Sequence, residues 1–340
     1  MQISPMYRFF KIYLQLMILP AILLAISFNP AFAAENFSLK PIRPPIFNRL
    51  TRLLEKAQRS HLLQHIDALL SLSGFYELAT AVCRPAITII PPIGTPCNEP
   101  TKNRSIKVLS ANLLLFPTPF FFNQQQRIEE FTDCVRTLNP DIIFMQEVWD
   151  NHSLALLMAA MSDYHAIYSP GIGYNYSGLL TLSRFAPRNA EVRRFAPSLR
   201  HSLEEFIAQK SILIVELNAE GQPLYLLNTH LYSAAPYKSY RPNIEQFRRV
   251  TEITRTLPGR IILGGDINLR PEELEKMLPA NLQRDDCNLP TAGYPRLSQK
   301  LDYIIAGNTS GHTRIAGKRV DPPRRFSDHN PIFSEISFTD

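Results

Sequence analysis

Cysteine is scarce in this 340-residue chain, with four residues at positions 83, 97, 134 and 287. Their spacing matches no zinc-ligand pattern, which sets aside a structural metal site built from thiolates. Long hydrophobic runs are scarce as well. Beyond Phe28 no stretch approaches the roughly 20 apolar residues that a membrane-spanning helix prefers. No segment recurs at a fixed period, so an architecture of stacked repeats is excluded. What remains is a globular composition, 45% hydrophobic and 10% aromatic, with length for one large domain or two modest ones.

The one sustained apolar run, Ile12 to Phe28, is broken only by Gln15, Pro20 and Ser27. Arg8 and Lys11 precede it, and Ala31-Phe32-Ala33 followed by Ala34 closes it. This reads as a secretory signal peptide over residues 1–33 with a small-residue cleavage site. An uncleaved anchor is the alternative, disfavoured by the short run and its central proline. A secreted or periplasmic protein, soluble after export, is therefore expected. Disulfides persist in such a compartment. Cys83 and Cys97 flank a proline-rich segment and are the expected pair. Cys134 shares a helical face with Ile128, Phe131, Val135 and Leu138 and is expected as a buried thiol. Cys287 can pair with it only if the fold brings the two together.

Apolar residues from Phe47 to Leu70 recur near helical spacing, and Gly74 follows as a break, so residues 34–82 read as a small helical N-terminal extension. Prolines 85, 91, 92, 96 and 100 mark 83–103 as an extended connector. From 104 to 340 strands and helices alternate. Strand-like runs are Ile106–Leu115, Asp141–Val148, Gly178–Ser183, Ser211–Leu217, Leu224–Leu231, Arg260–Ile267, Leu301–Ala306 and Ile332–Phe338. Helical runs are Gln124–Leu138, Ser153–Met161 and Asn243–Leu257. Many strands with few helices suit an α+β fold in which two packed sheets are covered by helices on the outside.

Three acid-bearing clusters stand against apolar, strand-like runs late in the chain: Gly265-Asp266-Ile267-Asn268, Leu301-Asp302-Tyr303 and Ser327-Asp328-His329-Asn330-Pro331. Carboxylates for a hard divalent cation, an amide for a phosphoryl oxygen and an imidazole for protons are the parts of a hydrolytic metal centre. Upstream lie Ser110-Ala111-Asn112, Gln146-Glu147-Val148-Trp149, Ser177-Gly178-Leu179 and Asn228-Thr229-His230. Any one of these is weak evidence, since Gly-Asp-Ile-Asn alone is most simply a turn with an Asx hydrogen bond. Seven in register resemble the endonuclease/exonuclease/phosphatase superfamily of Mg²⁺-dependent phosphoesterases. The likeness runs over about residues 104 to 340 and leaves 34–100 unaccounted for.

The resemblance implies a four-layered sandwich of two mixed β-sheets flanked by helices. It implies Glu147 as the principal Mg²⁺ ligand, with Asn112 beside it and Asp328 as a further ligand; Mn²⁺ suits the same oxygens. It implies that Asp266 orients or deprotonates the attacking water and that Asn268 holds a phosphoryl oxygen. Alternate strand positions would point these two side chains the same way. His329 is implied as the base or proton-transfer group, oriented by Asp302, and His230 as a donor to the phosphoryl group. No glutamate supporting the second histidine is visible, which leaves the protonation state of His230 open.

Glu147-Val148-Trp149-Asp150, Ser177 to Arg184, and His230 followed by an Arg-rich helix are similar to the neutral sphingomyelinase branch. Lys210 matches a lysine that those enzymes place near the active site, although Ser211 stands where they carry glycine. Pro117 to Phe122 offers three consecutive aromatics for a lipid interface or for packing under the N-terminal helices. A phospholipid surface is the favoured partner, with nucleic acid or an inositol phosphate as alternatives, and no protein partner is inferred. Loss of Arg8 and Lys11 with the leader lowers the formal charge from +6 to about +4. Arg184, Arg188, Arg193, Arg194 and Arg200, and then Arg314, Lys318, Arg319, Arg324 and Arg325, read as solvated faces or as steering groups for a phosphate-bearing substrate.

Overall fold

A computed structural model describes residues 86–93, 105–115, 123–170, 175–195, 208–219, 221–233, 241–293, 298–308 and 311–339. The expectations for the leader, the helical extension, Cys83 and Cys97, and Pro117 to Phe122 lie outside these residues. One compact unit comprises Arg84–Leu115, Asn123–Phe195 and Lys210–Asp340. A second, of Met1–Cys83, Phe116–Phe122 and Ala196–Gln209, is described only at Ala208 and Gln209. Among the described residues no helix is long and apolar enough to cross a membrane.

The large unit runs β1 (Thr88–Ile90), β2 (Ile106–Leu115), α1 (Gln124–Leu138), β3 (Ile142–Val148), α2 (Asn151–Ala160), β4 (His165–Pro170), β5 (Asn175–Ser183) and β6 (Pro187–Arg194). It continues β7 (Ser211–Ala219), β8 (Gln222–His230), α3 (Arg241–Thr256), β9 (Arg260–Asp266), α4 (Pro271–Glu275), β10 (Leu282–Arg284), β11 (Asp302–Asn308), β12 (His312–Arg319) and β13 (Ile332–Thr339). Seven strands form one sheet in the order β1-β4-β5-β3-β2-β13-β12, and six form the other, β10-β11-β9-β8-β7-β6. Both sheets are mixed. β2 pairs parallel with β3 and β8 parallel with β9, each couple separated in the chain by one long helix, and the other described pairs are antiparallel.

Period-two alternation divides the side chains of each strand between two layers. On β3, Ile142 and Phe144 enter the cluster between the sheets with Val108, Val215, Leu226, Ile262 and Ile304. Ile143 and Met145 enter the outer cluster, under Ile128, Phe131 and Val135 of α1 and Leu154 and Leu157 of α2. On the other side Leu227, Ile261, Leu263 and Tyr303 pack under Phe247 and Val250 of α3 and Leu274 of α4. Both faces of the central strands are thus covered, which is why β3 and β9 read as unbroken apolar runs.

Two details bring the sheets together. A Cβ on Gly264 would enter the ring of Phe144 across the interface, and one on Gly265, at φ 147°, would enter the carbonyl of Thr229 on the neighbouring strand. Only glycine permits that approach. Between the sheets, Gln146 Nε2 donates to Asn228 Oδ1 at 2.8 Å, and Asn228 Nδ2 donates to the carbonyls of Met145 and Leu180, each at 3.1 Å. These groups tie β8 to β3 and β5 in a fully buried place.

The strand-like runs expected from 104 onward all form, with ends shifted by up to three residues, as do the three helices. The sheet begins earlier than the expected boundary, because Thr88–Ile90 inside the proline-rich segment pairs antiparallel with β4. Five strands and one short helix were not expected: β1, β4, β6, β10, β12 and α4. All but β4 of these strands are outermost in their sheets, where one free edge and solvent permit polar residues, and β6 and β12 accordingly expose Arg188, Arg193, Arg314 and Lys318. Cys134, on α1, packs half-buried rather than fully buried against the outer core, and Cys287 lies buried between the sheets. The fold does not bring them together, and both are free thiols.

Candidate active site

The strands deliver the expected residues to one end of the sandwich. His230 and Asp266 are the last residues of β8 and β9 and face each other in parallel register. Asp302 is the first residue of β11 and lies opposite Asp266 in antiparallel register. In the other sheet, Asn112 pairs with Gln146, and an irregularity in β2 precedes the next pair, Leu115 with Val148. Leu114 (φ 51°) and Glu147 (φ 59°) take the left-handed conformation there. Such geometry in non-glycine residues costs of order 1–3 kcal/mol and concentrates where side chains must be aimed. Asp328 and His329 follow β12 in the loop before β13, and Ser327 Oγ pins that loop by donating to the Asn112 carbonyl at 2.7 Å.

Polar contacts join both sheets. Asn112 Nδ2 donates to Glu147 Oε1 at 2.8 Å and to Asp266 Oδ2 at 3.1 Å. His230 Nε2 stands 3.5 Å from Asp266 Oδ2 and 3.9 Å from Glu147 Oε1. His329 Nδ1 lies 2.8 Å from Asp302 Oδ2, and its Nε2 lies 3.8 Å from Asp266 Oδ2. His230 Nδ1 and Asp302 Oδ1 are buried with no hydrogen-bond partner among the described residues, so the site keeps polar capacity for something further.

The alternation argument for Asn268 does not hold. β9 ends at Asp266, and Asn268 turns into the left-handed region at φ 54°. Its N–H is held by Asp266 Oδ1 at 3.2 Å in an Asx turn. The turn and the functional reading coexist here. Asn268 Nδ2 donates to the Leu231 carbonyl at 3.1 Å, which leaves its second amide hydrogen for a ligand. Asn243, buried at the start of α3, donates to the Asn268 carbonyl and fixes the turn.

Burial and like charge set the titration. Burial, and then the Asp328 carboxylate, push Glu147 up to about 6. Burial, and then Asp302, raise Asp266. Burial lowers His230 well below 6.5, helped by Lys210 and His329, so its imidazole is neutral at physiological pH. Burial also opposes the charge on His329, but Asp302 and Asp266 outweigh it and lift the imidazole well above 6.5. Lys210, expected from the resemblance, is buried and acts electrostatically on Glu147, His230 and Asp266.

Asp266, Asp302 and His329 offer ligand atoms within 4.8 Å of one another. A ligating imidazole must be neutral, whereas with no cation present Asp302 and Asp266 favour the protonated form of His329. Glu147 also fits a cation: its carboxylate resists ionisation through burial and the neighbouring Asp328, even with Lys210 and His329 acting on it, and a bound divalent ion would relieve that. Hard oxygens of that kind suit Mg²⁺ or Mn²⁺. Asn112 presents its amide nitrogen to the carboxylates and its oxygen to the Leu114 N–H at 3.2 Å. In this arrangement it orients Glu147, and a role as oxygen ligand requires the amide to turn over.

Sequence reading overlooked Arg127 and Asn243 and gave Ser327 no role of its own, yet all three hold main-chain carbonyls near the site. Their one signal is a polar residue on the buried face of a helix or loop.

Comparison with known proteins agrees with this geometry. Over 156 residues the chain is 31% identical to the 5'-tyrosyl-DNA phosphodiesterase of Caenorhabditis elegans, covering 44% of this chain and 40% of that protein. Over 147 residues it is 29% identical to the inositol phosphosphingolipids phospholipase C of Saccharomyces cerevisiae, covering 39% of this chain and 31% of the other. The chain thus matches less than half the length of these relatives. The structure of D. rerio TDP2 complexed with single-strand DNA product superposes with a TM-score of 0.56 at 20% identity, covering 68% of this chain and 99% of that one. Residues 109–329 match the Endonuclease/Exonuclease/phosphatase family, from the β2 strand through His329, and the chain belongs to that family.

Proposed function

We propose that this protein is a Mg²⁺-dependent phosphodiesterase in which water attacks phosphorus in line. The observation that carries the reading is the convergence of Asn112, Glu147, His230, Asp266, Asp302 and His329 from two sheets on one polar cluster. Glu147 with Asp328 would hold the cation, which neutralises charge on the phosphoryl oxygens when bound. Asp266, with its proton affinity raised by burial and Asp302, is suited to take a proton from the attacking water. The His329 imidazolium, held on Asp302, faces the same point and donates as charge develops. Neutral His230 and the remaining amide hydrogen of Asn268 supply hydrogen bonds to phosphoryl oxygens, a contribution that grows in the transition state.

For the substrate we favour a phospholipid headgroup ester, cleaved as in a sphingomyelinase, by an exported enzyme. The N-terminal leader pattern and the likeness to a phosphosphingolipid phospholipase C support it. The second reading is a nucleic-acid phosphodiester, supported by the tyrosyl-DNA phosphodiesterase relatives and by the basic outer strand β12 with exposed Arg314 and Lys318. Purified protein offered sphingomyelin vesicles, single-stranded DNA and a phosphoinositide, with Mg²⁺ or EDTA, separates them. EDTA-sensitive release of phosphocholine is the expected result, and DNA cleavage alone would transfer the assignment to nucleic acid. Absence of EDTA-sensitive hydrolysis on all three would overturn the phosphodiesterase reading.

A further inference from the structure

α1 buries an apolar face of Ile128, Phe131 and Val135, and in that face stands one arginine. Arg127 is 4% exposed and lines a small cavity together with Leu113, Leu115, Phe131 and Phe326. Nε donates to the Phe326 carbonyl at 2.5 Å, Nη1 to the Leu114 carbonyl at 3.2 Å and Nη2 to the Leu113 carbonyl at 2.5 Å. Burial lowers its pKa to about 10, so it remains charged at neutral pH.

Each of these partners has a particular place. Leu113 and Leu114 form the irregular end of β2 immediately after Asn112, where the ladder with β3 loses register. Their carbonyls need a donor from elsewhere. Phe326 begins the turn that places Ser327 and Asp328. The two segments are far apart in sequence, and Arg127 bonds to main-chain carbonyls of both, while its charge also acts on Asp328 and Glu147. A lysine is a single point of charge and cannot span three carbonyls, whereas a guanidinium is a rigid fork.

We propose that Arg127 is a positioning residue that sets the spacing between the end of β2, whose Asn112 holds Glu147 of β3, and the loop carrying Asp328, and so determines how tightly the site holds a divalent cation. The inference rests on the cation-dependent reading above. Groups that orient metal ligands typically change affinity by about ten- to a hundredfold when removed. A purely structural arginine would change stability and leave affinity alone.

The test is calorimetric titration of the EDTA-stripped full chain with Mn²⁺ alone, without substrate, beside thermal unfolding. Arg127→Met should weaken Mn²⁺ binding about tenfold or more, with Arg127→Lys between it and the parent. Ile128→Val, on the same buried helix face, should lower the melting temperature with little change in affinity. Folded Arg127→Met protein that binds Mn²⁺ as the parent does would overturn the proposal. If that variant does not fold, Arg127→Lys decides: weakened binding supports the clamp and parental binding overturns it. A parent that binds no Mn²⁺ would instead bring down the cation-site reading itself, a result distinct from unchanged variants of a parent that binds.

Discussion

The two sheets meet at the site with the same motif and different cargo. β2-α1-β3 and β8-α3-β9 are each a parallel pair joined by a helix, and each ends with two polar side chains at the same end of the sandwich. The first pair delivers Asn112 and Glu147 through distorted backbone, with left-handed Leu114 and Glu147 and a broken register. The second delivers His230 and Asp266 through undisturbed register, with β11 adding Asp302 opposite Asp266. On the proposed reading the second half handles protons, which needs a fixed hydrogen-bond geometry that a regular ladder supplies. The first half would hold the cation, which needs oxygens from several directions, and strands alone do not point side chains that way.

The sharpest way to break this division is to remove Glu147 from the first half and, against it, His329, the loop residue that pairs with Asp302 of the second. Glu147→Gln and His329→Ala should each lower turnover at least about a hundredfold. Only Glu147→Gln should abolish stabilisation by Mg²⁺ in a thermal-shift assay. Loss of the Mg²⁺ response in His329→Ala would show that the halves do not divide the labour.

The halves also depend on the bridge between them. Asn228→Leu removes the donor to Met145 and Leu180 and strips Gln146 of its acceptor, so it should destabilise the fold by about 1–3 kcal/mol in chemical denaturation. A smaller loss would mean that Gln146 finds a new partner and that the bridge is dispensable.

A third test uses pH. Folding raises the proton affinity of His329, so its contribution is fully present below about 6.5, the unfolded value, and is lost as pH climbs through the raised folded value. The lowered pKa of His230 acts only below 6.5, the shift of Glu147 is complete near 6, and Asp266, raised by burial and Asp302, adds to the loss of stability until pH passes its own raised value. Cation-free protein should therefore lose stability as pH rises above about 6.5, and Asp302→Asn should flatten that slope. A slope unchanged in Asp302→Asn would place its origin elsewhere. The smallest effect is expected on the helix surfaces. Arg136→Ala on α1 and Arg249→Ala on α3 break exposed pairs with Asp133 and Glu252, and each should shift stability by less than about 1 kcal/mol.

The legibility of the chain follows the same physics. Central strands such as Ile142–Val148 and Arg260–Asp266 announce themselves because both faces are buried. Outer strands such as Pro187–Arg194 carry only Ala190 and Val192 among polar residues and a proline, and so give no clear strand signal. Asp266, Asp302 and His329 were visible because acids beside apolar runs are rare. Arg127 and Asn243 were not, since their role lies in which carbonyls they reach, and that is settled only when distant segments meet. The turn at Asn268 shows the limit of periodicity: once the ladder ends, alternation no longer governs direction.

Glu147 occupies a backbone region that glycine or asparagine enters more readily, and its carboxylate is buried beside Asp328. Glu147→Gly would relieve both, at the loss of the acceptor for Asn112, and would remove the carboxylate proposed to hold the cation. A breeder selecting this protein only for heat tolerance would be steered toward an inert variant, because position 147 sets durability against use.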